Sequence, residues 1–229
     1  MPRTTPSVQE TSMDLMNGVS VATVVDNRDS DGLGRVGIRV AEKSKRGGKG
    51  DVTWARIATL MAGRGRGTWF IPEVGDEVLV AFEAGDPKKP YVLGALWNTR
   101  NPPPAKMEST NALKLICSRN GVTVSIEDID GEESVSIATP GGQQLTLRDG
   151  PGAVVIKDSN GNSIELGTTG VRVTAAAGVF IAASKVEVSA GMVTVNAGMS
   201  KFSGVVQCDT LISNSVVSAN YSPGAGNVM

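Results

Sequence analysis

The residues that could do chemistry are few, and their settings argue against it. Glu127, Asp128 and Asp130 cluster, and Glu132 and Glu133 follow directly. Carboxylates grouped in this way can share acid–base work or hold Ca²⁺. These lie at turns between strand-like runs and lack the helix-flanked spacing of a calcium hand, so solvated turns are the better reading. Asp29-Ser30-Asp31-Gly32 faintly resembles a cation loop, yet it also joins two strand patterns. Ser and Thr are abundant, but the chain has no histidine. That removes the usual partner of a nucleophilic hydroxyl and the commonest metal ligand together. No G-x-S-x-G turn, P-loop or dinucleotide fingerprint is present. Cys117 and Cys208 stand far apart in strand-like segments and read as free, buried thiols. No catalytic residues, cofactor or metal are expected, and the chain reads as a non-enzyme.

The remaining candidates are basic. GRGRG at 63–67 and KSKRGGKG at 43–50 are cationic and Gly-rich. Such loops can cradle phosphates, with Trp54 and Trp69 stacking the bases of a single strand. A formal net charge of −1 gives no general attraction to nucleic acid. An acidic surface on a protein partner fits these patches better, and no nucleic acid is expected.

The elements that must carry these residues are β throughout. From Gly170 to Asn220, short Val/Ile runs alternate with Ser, Thr and Ala, broken by Gly about every seven residues. Val171 and Val173, Val179 and Ile181, Val186 and Val188, and Val193 and Val195 are period-2 pairs, the mark of strands with one buried face. One copy of such a ribbon buries little surface. Identical ribbons wound about a shared axis solve that problem, so an intertwined trimeric β-helix is expected. Val171, Val173, Val186, Val188, Val193 and Val195 would form its axial core. Upstream, segments at 18–26, 34–40, 53–62, 77–83 and 90–98 give five strands without a helix. They suit a small closed barrel of the OB type. Six of the nine aromatics fall between Trp54 and Trp97.

The expected organisation is a flexible arm at 1–17, an OB barrel at 18–98, a Pro-rich linker at 99–111, a shaft at 112–220 and a tip at 221–229. Strand-like runs from 112 to 166 are punctuated by Asn120-Gly121, Asp130-Gly131, Gly141-Gly142, Asp149-Gly150 and Asn160-Gly161, all turn dipeptides. These runs either stack as layers or form a hairpin collar below the stack. The N-terminus has no apolar signal-peptide core, which points to assembly in the cytoplasm.

Residues 67–98 carry a longer phrase, GTWFIPEVGDEVLVAFEAGDPKKPYVLGALWN. It resembles the OB domain of the baseplate spike proteins of contractile injection machines, the phage baseplate assembly protein V and VgrG-like family. Pro72, Gly75, Glu77, Asp86, Pro87, Pro90, Gly94, Trp97 and Asn98 carry the match. On the residues alone, Gly75-Asp76 reads as a turn. Pro87 and Pro90 bracket a Lys-Lys tip and discourage edge pairing. Trp97 closes the last strand as a packing anchor.

The resemblance implies a homotrimeric structural spike at the front of a contractile tail tube, on a phage baseplate or an injection particle. It implies a separate hub protein at the barrel end, since no hub-like domain precedes residue 18. A PAAR-like tip protein would dock on the C-terminal end, at Tyr221, Pro223, Gly224 and Val228, and the target membrane would be met transiently. The family's His-x-His iron site has no counterpart here. A trimeric tail fibre or adhesin, and an OB-type nucleic-acid-binding protein, are the alternatives. Light scattering at high and low salt should give a mass near three times 23.7 kDa; a monomer would overturn the wound-ribbon reading.

Overall fold

The computed structural model describes residues 16–41, 51–150 and 153–220. Among them the regular elements are almost all strands, and the chain divides into two compact units, Met1–Ala177 and Gly178–Met229.

The first unit opens with a closed barrel. Its strands are β1 (Val19–Asp26), β2 (Val36–Val40), β3 (Thr53–Ile57), β6 (Glu77–Phe82) and β7 (Pro90–Leu96), joined in the order β1-β2-β3-β7-β6. Only the β3–β7 pair is parallel. Closure leaves no free sheet edge. The alternating residues Ala22, Val24, Val36, Ile38, Ala55, Val78, Val80 and Val92 meet inside, each no more than 1 % exposed. The expected strand at 53–62 is shorter, because pairing stops at Ile57. Ala62–Gly63 (β4) and Arg66–Gly67 (β5) form a separate small hairpin.

The family phrase closes this barrel. Gly75 holds φ +101, a left-handed conformation that favours glycine. Its N–H donates to the Val24 carbonyl at 2.9 Å, and the Val24 N–H donates to the Asp76 carbonyl at 2.9 Å. That reciprocal pair stitches the turn before β6 to the wall of β1. The Asn27 side-chain amide donates to the Pro72 carbonyl at 3.3 Å. Glu77 lies opposite Thr23 on one side and Leu96 on the other.

The tip between β6 and β7 is held by Asp86, whose carboxylate accepts the Lys88 N–H at 2.9 Å. Pro87 follows in that tip. Pro90 departs from expectation: it is buried and lies opposite Phe82 as the first residue of β7, where a missing N–H costs least. Gly94 sits beside a bulge, since Leu79 opposes Gly94 while Val80 opposes Val92. Trp97 also differs. It is 71 % exposed rather than packed, because it lies just past the end of β7, beyond the barrel interior. Asn98 turns the chain into the linker, its side-chain oxygen accepting the N–H groups of Arg100 and Asn101 at 2.9 Å each.

The Asp29 loop is fully occupied by the protein itself. Asp29, its side chain 5 % exposed, binds the Arg35 guanidinium at 2.7 Å and accepts the backbone N–H groups of Leu33 and Arg35. Arg35 also pairs with Asp31 and lies over the Trp54 ring at 5.8 Å. A guanidinium thus takes the place that a cation loop would give to an ion.

Beyond the linker runs a seven-stranded antiparallel meander: β8 (Leu113–Cys117), β9 (Thr123–Glu127), β10 (Ser134–Ala138), β11 (Gln144–Arg148), β12 (Ala153–Lys157), β13 (Ser163–Gly167) and β14 (Gly170–Thr174). Every strand pairs with its sequence neighbour. The turn dipeptides work as their types demand: Gly142 has φ +88, and its position lies so close to Ser159 that a Cβ there would come within 3.0 Å.

The Arg35 guanidinium first, with backbone donors adding to it, holds the Asp29 carboxyl well below the usual carboxylate range, against the opposing effect of burial. A lowered folded pKa contributes stability above the unfolded value near about 4, and that contribution fades as pH falls. Urea melts should therefore show the parent more stable than Asp29→Asn at neutral pH, with the gap closing below about pH 4. A gap that widens on acidification would refute the pairing.

Candidate functional site

The strand registers of the meander place its apolar residues on one face. One row reads Ile126, Val135, Leu147, Val154, Leu166 and Val171, each directly opposite the next. The second reads Ile116, Val124, Ile137, Leu145, Ile156, Ile164 and Val173. Period-2 alternation sends the intervening residues to the other face. There Leu115, Ser125, Ser136, Thr146, Val155, Glu165 and Arg172 lie in register, five of the seven polar, and the Gln144 amide donates to the Ser136 hydroxyl at 3.1 Å.

The apolar face is uncovered. Val135, Ile137, Leu147, Ile156, Ile164 and Leu166 are 39–48 % exposed, and Val171 and Val173 are 69 % and 57 % exposed. Each such side chain gains on the order of 1 kcal/mol or more when removed from water. A face of two apolar rows, one across six strands and one across seven, with Lys114 ending the shorter row, is far larger than the scattered apolar residues a monomer normally shows. A sheet with one apolar face needs a second layer.

The second unit, described by itself over residues 178–220, contains no paired strand. The sequence led to the expectation of strands at Val179–Ile181, Val186–Val188 and Val193–Val195. No strand forms there, and among the described residues the chain has no ladder partner. Within it bends recur at 184, 191 and 198, seven residues apart. Val186, Val188, Val193 and Val195 are 62–69 % exposed. A segment becomes strand only when a neighbour completes its hydrogen bonds, and none of the unit's described residues does so.

The other candidates gain little. Trp54 and Arg35 are engaged with each other, and Arg56 lies over the Tyr91 ring at 5.7 Å. Of the two candidate base-stacking rings only Trp69, 75 % exposed, lacks such a partner among the described residues. The basic loop at 43–50 and the tip residues Tyr221, Pro223, Gly224 and Val228 lie outside the described residues, as does nearly all of the arm at 1–17. Glu127 stands on the polar face of β9, and Asp128, Asp130, Glu132 and Glu133 occupy the turn into β10. The cysteines are free, but they are exposed rather than buried: Cys117 ends the edge strand β8 on the polar face, and Cys208 lies in the unpaired second unit.

The closed barrel covers its own core, whereas the sheet presents an apolar face that its own unit leaves open. The comparisons with known families say what kind of chain is built this way. Residues 20–97 match the type VI secretion system/phage-baseplate injector OB domain, and residues 134–200 match the phage baseplate V C-terminal trimerisation domain. The chain belongs to the baseplate V and VgrG-like family of injection-machine spike proteins.

Among curated relatives, it is 36 % identical over 116 residues to type VI secretion system spike protein VgrG4b of Pseudomonas aeruginosa, covering 47 % of this chain and 14 % of that one. VgrG1b of the same organism is 24 % identical over 152 residues, covering 61 % and 20 %. The actin cross-linking toxin VgrG1 of Vibrio cholerae is 33 % identical over 94 residues, covering 39 % and 9 %. The chain thus spans a fifth or less of the length of these relatives.

The trimerisation match begins at β10 and runs into the second unit, so it contains most of the two apolar rows. Ile137→Asp should abolish self-association in sedimentation or light scattering. Ser136→Asp, one residue away on the polar face, should leave it intact. Equal behaviour of the two variants would refute the face assignment.

Proposed function

We propose that this chain is the homotrimeric central spike of a contractile tail or injection particle, acting mechanically and not as an enzyme. The observation that supports this best is the uncovered two-row apolar face inside the residues matching a trimerisation domain. In the proposed assembly three such faces close on one another. Beyond them the residues from 178 wind as an intertwined β-helix, each chain completing the backbone hydrogen bonds of the next. The domain plan is then a barrel mount at 18–98, a linker at 99–111 and a shaft at 112–220. A closed barrel suits a mount because it presents no sheet edge for stray pairing.

In this reading the barrel sits on a separate hub protein, and the far end meets the target envelope, bare or capped by a PAAR-like protein at 221–229. The place of action is a virion baseplate or the front of an injection particle. The engagement of Trp54 by Arg35 weighs against an OB-type nucleic-acid reader. The family matches weigh against an adhesin, whose role would demand a receptor-binding surface.

Val188→Asp tests the axis. Three unpaired carboxylates would converge on an apolar core, at a cost of several kcal/mol. The expected outcome is loss of the trimer by light scattering. A soluble, folded trimer carrying this substitution would show that Val188 does not face the axis.

A further inference from the structure

Two residues of the phrase at 67–98 have no task within their own chain. Trp97 is 71 % exposed. Gly94 stands within β7, where a missing side chain weakens a strand. Its backbone does not call for glycine, since its φ is not positive. Crowding does not either, since a Cβ at Gly94 would meet no atom of the described residues within 4 Å. The neighbouring bulge is supplied by Leu93, the residue between Val92 and Gly94 that has no opposite number on β6.

The wall around Gly94 is apolar and faces outward. Val21, Leu79 and Gly94 lie directly opposite one another across β1, β6 and β7. The alternate residues Ala22, Val78, Val80 and Val92 fill the barrel, so this row belongs to the outside. Val21 is 38 % exposed, and Val19 and Leu96, two residues along their strands, are 57 % and 36 % exposed. The absent side chain at Gly94 leaves a notch among them.

Trp97 stands where β7 leaves the barrel. Asn98 turns the chain there, its side-chain oxygen accepting the N–H groups of Arg100 and Asn101. The chain then runs through the linker into the meander, which from β10 onward matches a trimerisation domain. A sheet that gathers three chains on one axis also gathers the three barrels attached to it, each with an exposed Trp97 and an open notch. We infer that the barrels themselves touch: the Trp97 ring of each chain seats in the notch at Gly94 of the next, against that chain's Val21 and Leu79. The inference rests on the trimeric spike reading. A contact between two different patches, repeated by a threefold rotation, closes into a ring. An indole is a large, rigid apolar anchor for such a contact. The glycine that its own chain does not need is then needed by the neighbour, because any side chain at 94 would fill the seat.

The test uses the full chain with Trp97 as its sole tryptophan, after Trp54→Phe and Trp69→Phe. In the trimer its fluorescence should lie at shorter wavelength than that of tryptophan in water and should resist quenching by acrylamide. Adding Gly94→Leu should move the emission to longer wavelength and restore quenching, with the mass by light scattering still that of three chains. A trimer whose Trp97 emits and quenches like free tryptophan would overturn the contact. Shielding that survives Gly94→Leu would overturn the choice of notch. A monomeric parent would defeat the spike reading itself, and the contact with it. Crosslinking checks the same pair without the tryptophan variants. Residues 94 and 97 of one chain are about 10 Å apart along an extended backbone, too far to be bridged by a disulfide. With Cys117→Ser and Cys208→Ser in place, Gly94→Cys combined with Trp97→Cys should give a three-chain species on non-reducing gels after copper-catalysed air oxidation. Either single cysteine can join only two chains. Absence of the three-chain species from the double variant would overturn the pairing.

Discussion

A sheet with one apolar face and nothing in its own unit to cover it governs this molecule. The barrel is self-sufficient, because its strands close and its valines and Ile38 meet inside. The meander is not. Its hydrogen bonds are satisfied along seven strands, yet its two rows of Val, Ile and Leu remain open to water. The hydrophobic effect is indifferent to which chain supplies the cover, so association becomes part of folding. The second unit extends the same dependence to the backbone, since its described residues lack even ladder partners. Self-sufficiency thus declines along the chain, from closed barrel to open sheet to unpaired ribbon.

Much of this gradient was legible in the residues. The five barrel strands follow from period-2 runs and their intervening turns, and the phrase around Gly75 and Asp86 identified the family. The turn dipeptides marked the meander hairpins correctly, because a positive φ at Gly121 or Gly161 is a local requirement that local sequence records. What escaped the reading was non-local. The alignment of Val135 with Leu147 and Val154 depends on register across strands, although the i, i+2 apolar pairs were there to be read. Trp97 differs from the expected packing anchor because it lies just past the end of β7, where no strand of its own chain covers it. The seven-residue rhythm of 178–198 was visible in sequence.

Charge plays a local part. Asp29, Asp31, Arg35 and Trp54 form one cluster beside the barrel, and it fixes the loop before β2. Arg119 reaches Glu73 at 3.0 Å, tying the first meander turn to the barrel's closing loop. Both partners are well exposed, so the pair contributes little free energy and serves mainly to bias orientation.

The hairpin order of the meander bears on how identical chains find one another. VEVSAGM at 186–192 and VTVNAGM at 193–199 are nearly the same heptapeptide. Wound ribbons built from such copies could slip by one whole repeat and still bury valine against valine. The meander cannot slip in this way, because its turns and rows are all different and its strands pair only with sequence neighbours. Local pairing of this kind forms quickly within each chain. A sheet that assembles early would set the phase of the three chains before the repetitive ribbons meet, acting as the starting mark from which the rest zips in one alignment.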